Sequence, residues 1–273
     1  MSLLILGITG FLGRNLAKIA QYSFNVIGTT HSESKLLYFK NKFPHLKVYM
    51  LDFCDQQFEE QLENIIITNK IDYIINTVAL KCIDICQEFP QLTLKINYES
   101  VVKIINIAKK LHIKNLIGID TDKSINPINV YGNSKLLMRN AILNNNFGCF
   151  QGVNFFGSES SVVDLWKYAV LTNNPLIVRN PMQIRYFNSI DYVANLIIKN
   201  INTKKLFFSE YAFKIKLIDL LMAFSEYTHY NNITITKELS FEKIHENIND
   251  SIYIVESQKD NIKNLLYNLQ YIA

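Results

Sequence analysis

Leu3-Leu-Ile-Leu6 runs directly into Gly7-Ile-Thr-Gly10-Phe-Leu-Gly13, and Arg14-Asn-Leu-Ala-Lys-Ile-Ala20 follows at once. Four apolar residues stopped by a glycine read as a short buried strand, and the apolar positions after Gly13 recur at helical spacing. A glycine triplet between strand and helix has a physical use. The first glycine permits a tight turn, the second lets the backbone approach a pyrophosphate, and the third lets the helix pack on the strand. The phosphates then lie at the helix N-terminus, whose amides have no intrahelical acceptor. The stretch predicts a dinucleotide-binding unit with Gly7, Thr9, Gly10, Phe11, Leu12 and Gly13 around the cofactor.

Outward from this turn, strand-like runs recur. Asn25-Val-Ile-Gly-Thr29 ends at Thr30-His31-Ser32, where a carboxylate would grip the adenosine ribose and favour NAD. Hydroxyls and a histidine suit a 2′-phosphate instead, so NADP(H) is the expected cofactor, with NAD(H) as the alternative. Lys47-Val-Tyr-Met-Leu51 leads into Asp52 and Phe53, placed to meet the adenine. Ile71-Asp-Tyr-Ile-Ile75 enters Asn76-Thr77-Val78-Ala79, whose small side chains let a cofactor lie close to the backbone. A helix over 93–111 carries Asn97 early in its length. Strands alternating with helices at this interval predict an α/β chain with a Rossmann-type doubly wound parallel sheet.

The chemistry concentrates further on. Asn115-Leu-Ile-Gly-Ile119 reads as a buried parallel strand, so Thr121 and Asp122 fall at its carboxyl end, where open α/β sheets bind ligands. Asn126-Pro127 turns the chain, and a helix from about Val130 puts Tyr131 and Lys135 on one face. A phenol has a pKa of about 10, and a neighbouring ammonium favours the phenolate and draws it towards a working range. Thr121, Tyr131 and Lys135, with Asp122 and Lys123, are the expected catalytic set.

The remaining composition excludes other classes. The net charge of +4 is small and its lysines are scattered, so no basic stripe marks a nucleic-acid or membrane surface. The apolar start is too short for a signal peptide or a membrane span, and a cytoplasmic location is expected. Cys54, Cys82, Cys86 and Cys149 have neither C-x-x-C spacing nor histidines at ligand distance, so neither a disulfide framework nor a metal is expected. Residues 1–155 are read as the nucleotide-binding domain. Residues 156–273 are read as a small substrate lobe interleaved with the sheet, with a strand at Cys149–Val153, helices near 162–171, 217–227 and 260–271, and Arg185–Asp191 opening another helix.

Taken together, the glycine loop, the N-x-x-A strand end and the Thr…Tyr-x-x-x-Lys set resemble the extended short-chain dehydrogenase/reductase family, in its nucleotide-sugar branch. Val78-Ala-Leu-Lys81, Thr121-Asp-Lys-Ser-Ile-Asn-Pro-Ile-Asn-Val-Tyr131, Gly157-Ser-Glu-Ser-Ser-Val162 and Arg185-Tyr-Phe resemble UDP-N-acetylglucosamine 4,6-dehydratases. In those enzymes the residues matching Asp122 and Lys123 are the acid and base that remove water. The glycine loop, Val26-Ile-Gly-Thr-Thr-His-Ser32 and Ile83-Asp-Ile-Cys-Gln-Glu-Phe-Pro90 with Asn97 resemble dTDP-4-dehydrorhamnose reductases.

The reductase resemblance implies NADPH-dependent reduction of the C4 ketone of an NDP-4-keto-6-deoxyhexose, and this is the leading expectation. Tyr131 would protonate the alkoxide, Thr121 would bind the same oxygen and Lys135 would hold the ribose. Arg179 and Arg185 are the expected diphosphate ligands, with Lys81, Asn154 and Phe155 as further substrate contacts. A 4,6-dehydratase, also capable of C5 inversion, is the alternative. A non-catalytic nucleotide-binding subunit is the third reading, opposed by the intact Thr121, Tyr131 and Lys135. Helices 93–111 and 131–144 are expected to pair in a homodimer.

Overall fold

The computed structural model describes residues 1–237, 239–257 and 259–267. In chain order the first unit contains β1 (Ser2–Leu6), α1 (Phe11–Ala20), β2 (Asn25–Thr30), α2 (Glu33–Lys42), β3 (Lys47–Met50), α3 (Phe58–Asn69) and β4 (Tyr73–Asn76). It continues with α4 (Ile83–Glu88), α5 (Pro90–Leu94), a π turn (Lys95–Glu99), α6 (Ser100–Lys110), β5 (Asn115–Thr121), a 3-10 turn (Asp122–Ser124), α7 (Val130–Asn144) and β6 (Gly148–Gly152). After β7 (Asn154–Phe155), α8 (Val162–Leu171), β8 (Leu176–Val178) and β9 (Ile184–Asn188), the chain returns to the first unit with α9 (Ile190–Lys199) and β10 (Leu206–Phe208). It closes with β11 (Tyr211–Lys216), α10 (Leu217–Thr228), β12 (Ile233–Ile235), β13 (Tyr253–Glu256) and α11 (Lys259–Tyr267).

The first unit spans Met1–Gln151 and Asp191–Phe208. Its sheet has the order β10-β6-β5-β4-β1-β2-β3, with parallel pairing between β1 and β2, β1 and β4, β2 and β3, β4 and β5, and β6 and β10. Leu3, Leu4, Ile5 and Leu6 are all fully buried, as a central strand covered on both faces requires. Each such side chain contributes roughly 1.5–3 kcal/mol relative to exposure. A core of Leu4, Leu62, Ile74, Ile104 and Leu116 fixes α3 and α6 on the sheet.

At the end of β1, Gly7 has φ +79°, the left-handed conformation that the turn requires. A Cβ on Gly13 would lie 2.3 Å from the Gly7 carbonyl oxygen, so only glycine allows α1 this close to the turn. Both findings match the roles read from the sequence.

The second unit spans Gly152–Ile190 and Ser209–Ala273. Its four-stranded sheet is ordered β13-β11-β9-β7, and β8 and β12 form a separate parallel pair. Trp166, Phe187, Leu220 and Phe224 form its core. The sequence reads 156–273 as a lobe interleaved with the sheet, and α9 and β10 are the elements of that stretch that belong to the first unit. Their apolar face explains this: Val193, Ala194 and Ile197 are fully buried, and β10 adds a strand beside β6.

Two local readings are corrected. The helix expected over 93–111 is interrupted by the π turn around Asn97, because that side chain leaves the helical pattern to bind the loop after β4. Arg185–Asn188 belong to strand β9, not to a helix opening, since Phe187 and Asn188 pair with Asn154 and Phe155. Of the helix expected near 260–271, 268–271 lie outside the described residues. Among those residues, no helix is long and apolar enough to cross a membrane.

Candidate active site

The carboxyl ends of β1, β2, β4 and β5 define the site in the first unit. The turn after β1 is held by the Gly7 and Ile8 amides, which donate to the Thr29 carbonyl at 3.1 and 2.9 Å. Thr9 and Thr30 share a hydroxyl contact of 2.8 Å, and both are buried. Gly10 precedes α1 without a side-chain cap, so the first amides of α1 are left for an anion. The residues present therefore fit a dinucleotide phosphate.

Among the remaining cofactor candidates the roles divide. Thr30 accepts the Ser32 amide at 3.2 Å, Ser32 caps α2 by accepting from the Lys35 amide, and His31 is exposed between them. The Asp52 carboxylate accepts the Cys54 amide at 2.8 Å, forming the turn after β3. Phe53 turns into the core against Phe58, with ring centroids 4.8 Å apart, so its side chain serves packing. Thr77 donates to the Leu6 carbonyl at 2.7 Å, and the Val78 amide donates to Asn76. These bonds fix Thr77-Val78-Ala79 beside the glycine turn, where a Cβ on Gly7 would meet both Thr77 and Val78 at 2.9 Å.

Asn97 organises the next layer. It accepts the Leu80 amide at 2.8 Å, donates to the Leu80 carbonyl at 2.9 Å and donates to the Ser134 hydroxyl at 3.0 Å. Ser134 in turn donates to the Tyr131 carbonyl at 2.8 Å. One buried amide thus ties the loop before Lys81, which is exposed, to the helix that carries Tyr131 and Lys135.

Four of the five catalytic candidates meet, and Lys135 follows Tyr131 four residues on along α7. Thr121 is buried at the end of β5, donates to Asp122 Oδ1 at 2.9 Å and hydrogen-bonds Tyr131. Lys123 Nζ donates to the same Asp122 oxygen at 3.0 Å. The Asp122 side chain is 2% exposed and that of Lys123 13%, so Lys123 is folded into the site and is not a solvated turn residue. Asp122 Oδ2 is buried with no hydrogen-bond partner among the described residues. Tyr131 is half-buried and Lys135 buried.

The charges differ from the expectation in one respect. Burial pushes the Tyr131 phenol well above its ordinary value, and the Asp122, Asp120 and Cys86 charges push it further, while the Thr121 hydrogen bond draws it down. The lowering expected from Lys135 is not what dominates in this protein alone. Burial also lowers Lys135, with Asp120 foremost among the groups that hold it up. Asp120 is the residue whose weight sequence reasoning missed, and Asn97 was singled out there without its partners Leu80 and Ser134. The available signal for Asp120 was a carboxylate at the end of an apolar strand, since unpaired buried aspartates are rare.

In the second unit, Asn154 donates to the Tyr186 carbonyl at 2.9 Å, and Phe155 is half-buried beside it on β7. Arg185 is buried, and its guanidinium donates to the Ile184, Lys243 and Ile244 carbonyls and to Glu242, each at 3.0 Å. It therefore fixes the segment around Glu242. Arg179 pairs with the same glutamate at 3.6 Å and is the more exposed of the two arginines.

A Rossmann-type sheet with β3-β2-β1-β4-β5-β6 in order, a glycine turn after β1, and threonine, tyrosine and lysine at the ends of β5 and the start of α7 defines the fold class of the extended short-chain dehydrogenase/reductases. Within it, residues 3–263 match the family described as polysaccharide biosynthesis protein, and the chain belongs to that family. It is 25% identical over 214 residues to a UDP-N-acetylglucosamine 4,6-dehydratase (inverting) of Campylobacter jejuni, covering 73% of this chain and 63% of that enzyme. It is 24% identical over 209 residues to an uncharacterized membrane protein of Methanocaldococcus jannaschii, covering 72% of this chain and 62% of that protein. The chain thus matches less than two thirds of the length of these relatives. A solved structure of a UDP-glucose 4-epimerase of Thermus thermophilus in complex with NAD superposes with a TM-score of 0.84 at 12% identity, covering 100% of both chains.

Proposed function

We propose that the chain catalyses 4,6-dehydration of a nucleotide-linked hexose, with UDP-N-acetylglucosamine as the first candidate substrate and a nicotinamide dinucleotide, expected to be NADP(H), as cofactor. The observation that carries this reading is the buried Asp122–Lys123 pair, 3.0 Å apart and joined through Thr121 to Tyr131. Elimination of water needs an acid and a base besides the tyrosine, and a reductase has no use for the second pair.

A nicotinamide dinucleotide held by the glycine turn after β1 would supply a hydride acceptor that can later return the hydride. Tyr131 takes the proton from the sugar C4 hydroxyl, and Thr121 hydrogen-bonds the same oxygen. Lys135 holds the cofactor ribose, as its place one helical turn from Tyr131 suits. Asp122 and Lys123 share one proton in their hydrogen bond. Passing it across their hydrogen bond converts the ion pair into a neutral acid and a free amine. The amine can then withdraw the C5 proton while the carboxylic acid protonates the departing C6 hydroxyl, and water is released. Arg179 is the better candidate of the two arginines for the diphosphate, because Arg185 is engaged by four protein acceptors.

The second reading, a C4 reductase, is favoured by the end of β2. Thr30-His31-Ser32 offers no carboxylate, which suits an NADPH exchanged at each turnover. One experiment separates the two. UDP-N-acetylglucosamine is incubated with the protein and the product mass is read, beside NADPH oxidation with UDP- and dTDP-linked 4-keto-6-deoxyhexoses. Loss of one water without net NADPH consumption is the expected result. Keto-sugar-dependent NADPH loss without dehydration would overturn it in favour of the reductase.

A further inference from the structure

The turn that carries Asp122 and Lys123 is too short to fix its own shape. It consists of Asp122–Ser124, closed by one backbone hydrogen bond from the Ile125 amide to the Asp122 carbonyl at 3.0 Å. The hydrogen-bond geometry of 3-10 turns is poor, so a turn of this length depends on contacts from outside it.

Those contacts converge on Ser124, the last residue of the turn. Its hydroxyl is buried, lies 2.8 Å from both Asp120 Oδ2 and the Thr121 carbonyl oxygen, and accepts the Arg139 guanidinium at 3.1 Å and the Gln151 amide at 3.2 Å. Arg139 and Gln151 also donate to Asp120 Oδ2, at 3.1 and 3.0 Å. Strand β5, the turn, α7 and β6 thus meet at one hydroxyl and one carboxylate oxygen. The Asp120 side chain is fully buried and that of Arg139 is 18% exposed. A guanidinium suits this place, because its donors can serve two acceptors, and here Nη1 bridges Asp120 and Ser124. The turn is gripped a second time by packing: a Cβ on Gly132 would lie 2.4 Å from the Lys123 carbonyl oxygen. Helix α7 therefore meets the turn at Gly132 and again at Arg139, about two helical turns further on.

We propose that Ser124 and Arg139 are positioning residues for the Asp122–Lys123 pair. Arg139, anchored on the Asp120 carboxylate, clamps the Ser124 hydroxyl and so fixes the turn that holds Asp122 against Thr121 and Lys123. Both act on the turn and not on the reacting groups. The consequence for water loss rests on the proposed dehydration, whereas the placement of Lys123 does not.

Lys123 is the reporter. Held in an ion pair and 13% exposed, its amine is shielded from an acylating reagent. The protein without substrate is treated with an acetyl N-hydroxysuccinimide ester, and acetylation of Lys123 is read by peptide mass spectrometry against that of exposed Lys204. In Ser124→Ala and in Arg139→Met the Lys123 rate rises about tenfold, as removal of one buried hydrogen-bond anchor implies. Asn115→Ala is the control for general loosening, since Asn115 donates to the Ile201 and Thr203 carbonyls at the other end of β5, and there Lys123 stays shielded. Lys123 still shielded in Ser124→Ala and Arg139→Met, or equally reactive in Asn115→Ala, overturns the proposal. Should Arg139→Met fail to fold, Ser124→Ala, which removes a single oxygen, decides alone.

With UDP-N-acetylglucosamine, Ser124→Ala loses water about tenfold more slowly, while KM and isotope exchange between the sugar and the cofactor change little. Equal loss of both steps would assign the node to the fold as a whole and overturn the positioning role. Failure of the wild type to turn over any nucleotide sugar would overturn the dehydration and leave the Lys123 result standing.

Discussion

At the scale of single residues, the arrangement of Thr121, Asp122, Lys123 and Tyr131 makes unequal demands on each side chain. In the proposed dehydration Tyr131 exchanges a proton with the sugar C4 oxygen, and its phenol is raised when the protein is alone. Tyr131→Phe is expected to lower turnover by roughly a hundred- to ten-thousand-fold, the range for loss of a general acid–base group. Nucleotide binding, followed by cofactor fluorescence, should survive. Turnover near the wild-type rate would remove Tyr131 from the mechanism. Lys123→Met discriminates further, because it removes the base while leaving the tyrosine untouched. Water loss from the nucleotide sugar should fall at least as steeply, with exchange of hydride between sugar and cofactor still detectable by isotope label. Much of this residue set was legible in advance, since the hydroxyl, carboxylate, phenol and ammonium types are adjacent in sequence and fall at a strand end. Asp120 was not, and of Asn97 only the presence was, not the partners. Their roles come from partners distant in sequence, Arg139 and Gln151 for the one and Leu80 and Ser134 for the other, which no local spacing encodes.

At the scale of elements, close approaches decide whether the site assembles. A Cβ on Gly132 would sit 2.4 Å from the Lys123 carbonyl oxygen and 2.9 Å from Pro127, so the start of α7 touches the turn that carries Asp122 and Lys123. Gly132→Ala should therefore shift Tyr131 away from Thr121 and cost about 1–3 kcal/mol in stability, the usual cost of overpacking. Chemical denaturation measures the first effect of that shift, and wild-type stability with wild-type turnover would refute it. The frame below is set by a different contact: Asp72 accepts the Ser2 amide at 2.9 Å and pairs with Lys114 at 2.7 Å, joining the amino ends of β1, β4 and β5. Lys114 and the Ser2 amide hold the Asp72 carboxyl below its usual range. A depressed folded-state pKa contributes stability above the unfolded value, about 3.9, and loses it as pH falls through the folded value. Asp72→Asn should thus destabilise by up to about 1 kcal/mol at neutral pH. The difference from wild type should vanish in acid, and a gap constant with pH would contradict it. Elements with a strong apolar period were readable from sequence, β1 with its four buried residues above all. The π turn at Asn97 was not, because Ile96 and Ser100 on either side keep an ordinary helical pattern and only the tertiary bond to Leu80 interrupts it.

For the molecule as a whole, the sequence reads 156–273 as interleaved with the sheet but does not say that α9 and β10 are the elements that return, because an apolar helix such as Val193-Ala-Asn-Leu-Ile197 can cover either of two cores. Exposed apolar residues leave a second question at this scale. Ile85 and Phe89 beside α4, Leu92 on α5 and Leu137 on α7 are each 41–47% exposed. Leu137 lies on one helix of the pair expected to form a homodimer and the others just before the pair, and light scattering should give about twice the chain mass of 31.7 kDa. A mass equal to one chain at micromolar concentration would refute pairing. Cofactor choice is also a property of the whole fold, because a ligand that binds only the folded state stabilises it by roughly 2.7 kcal/mol at a hundredfold excess over Kd. In a chain of this size that corresponds to a rise in melting temperature of about 5 °C. With Thr30 and Ser32 engaged in the turn after β2 and no carboxylate among them, NADP(H) should raise the melting temperature more than NAD(H) at equal concentration. His31→Asp, which places a negative charge at the exposed position between them, should reverse the order by repelling a 2′-phosphate and accepting ribose hydroxyls. Equal shifts from both dinucleotides in the wild type, unaltered in His31→Asp, would show that the end of β2 does not read the ribose and would withdraw the preference for NADP(H).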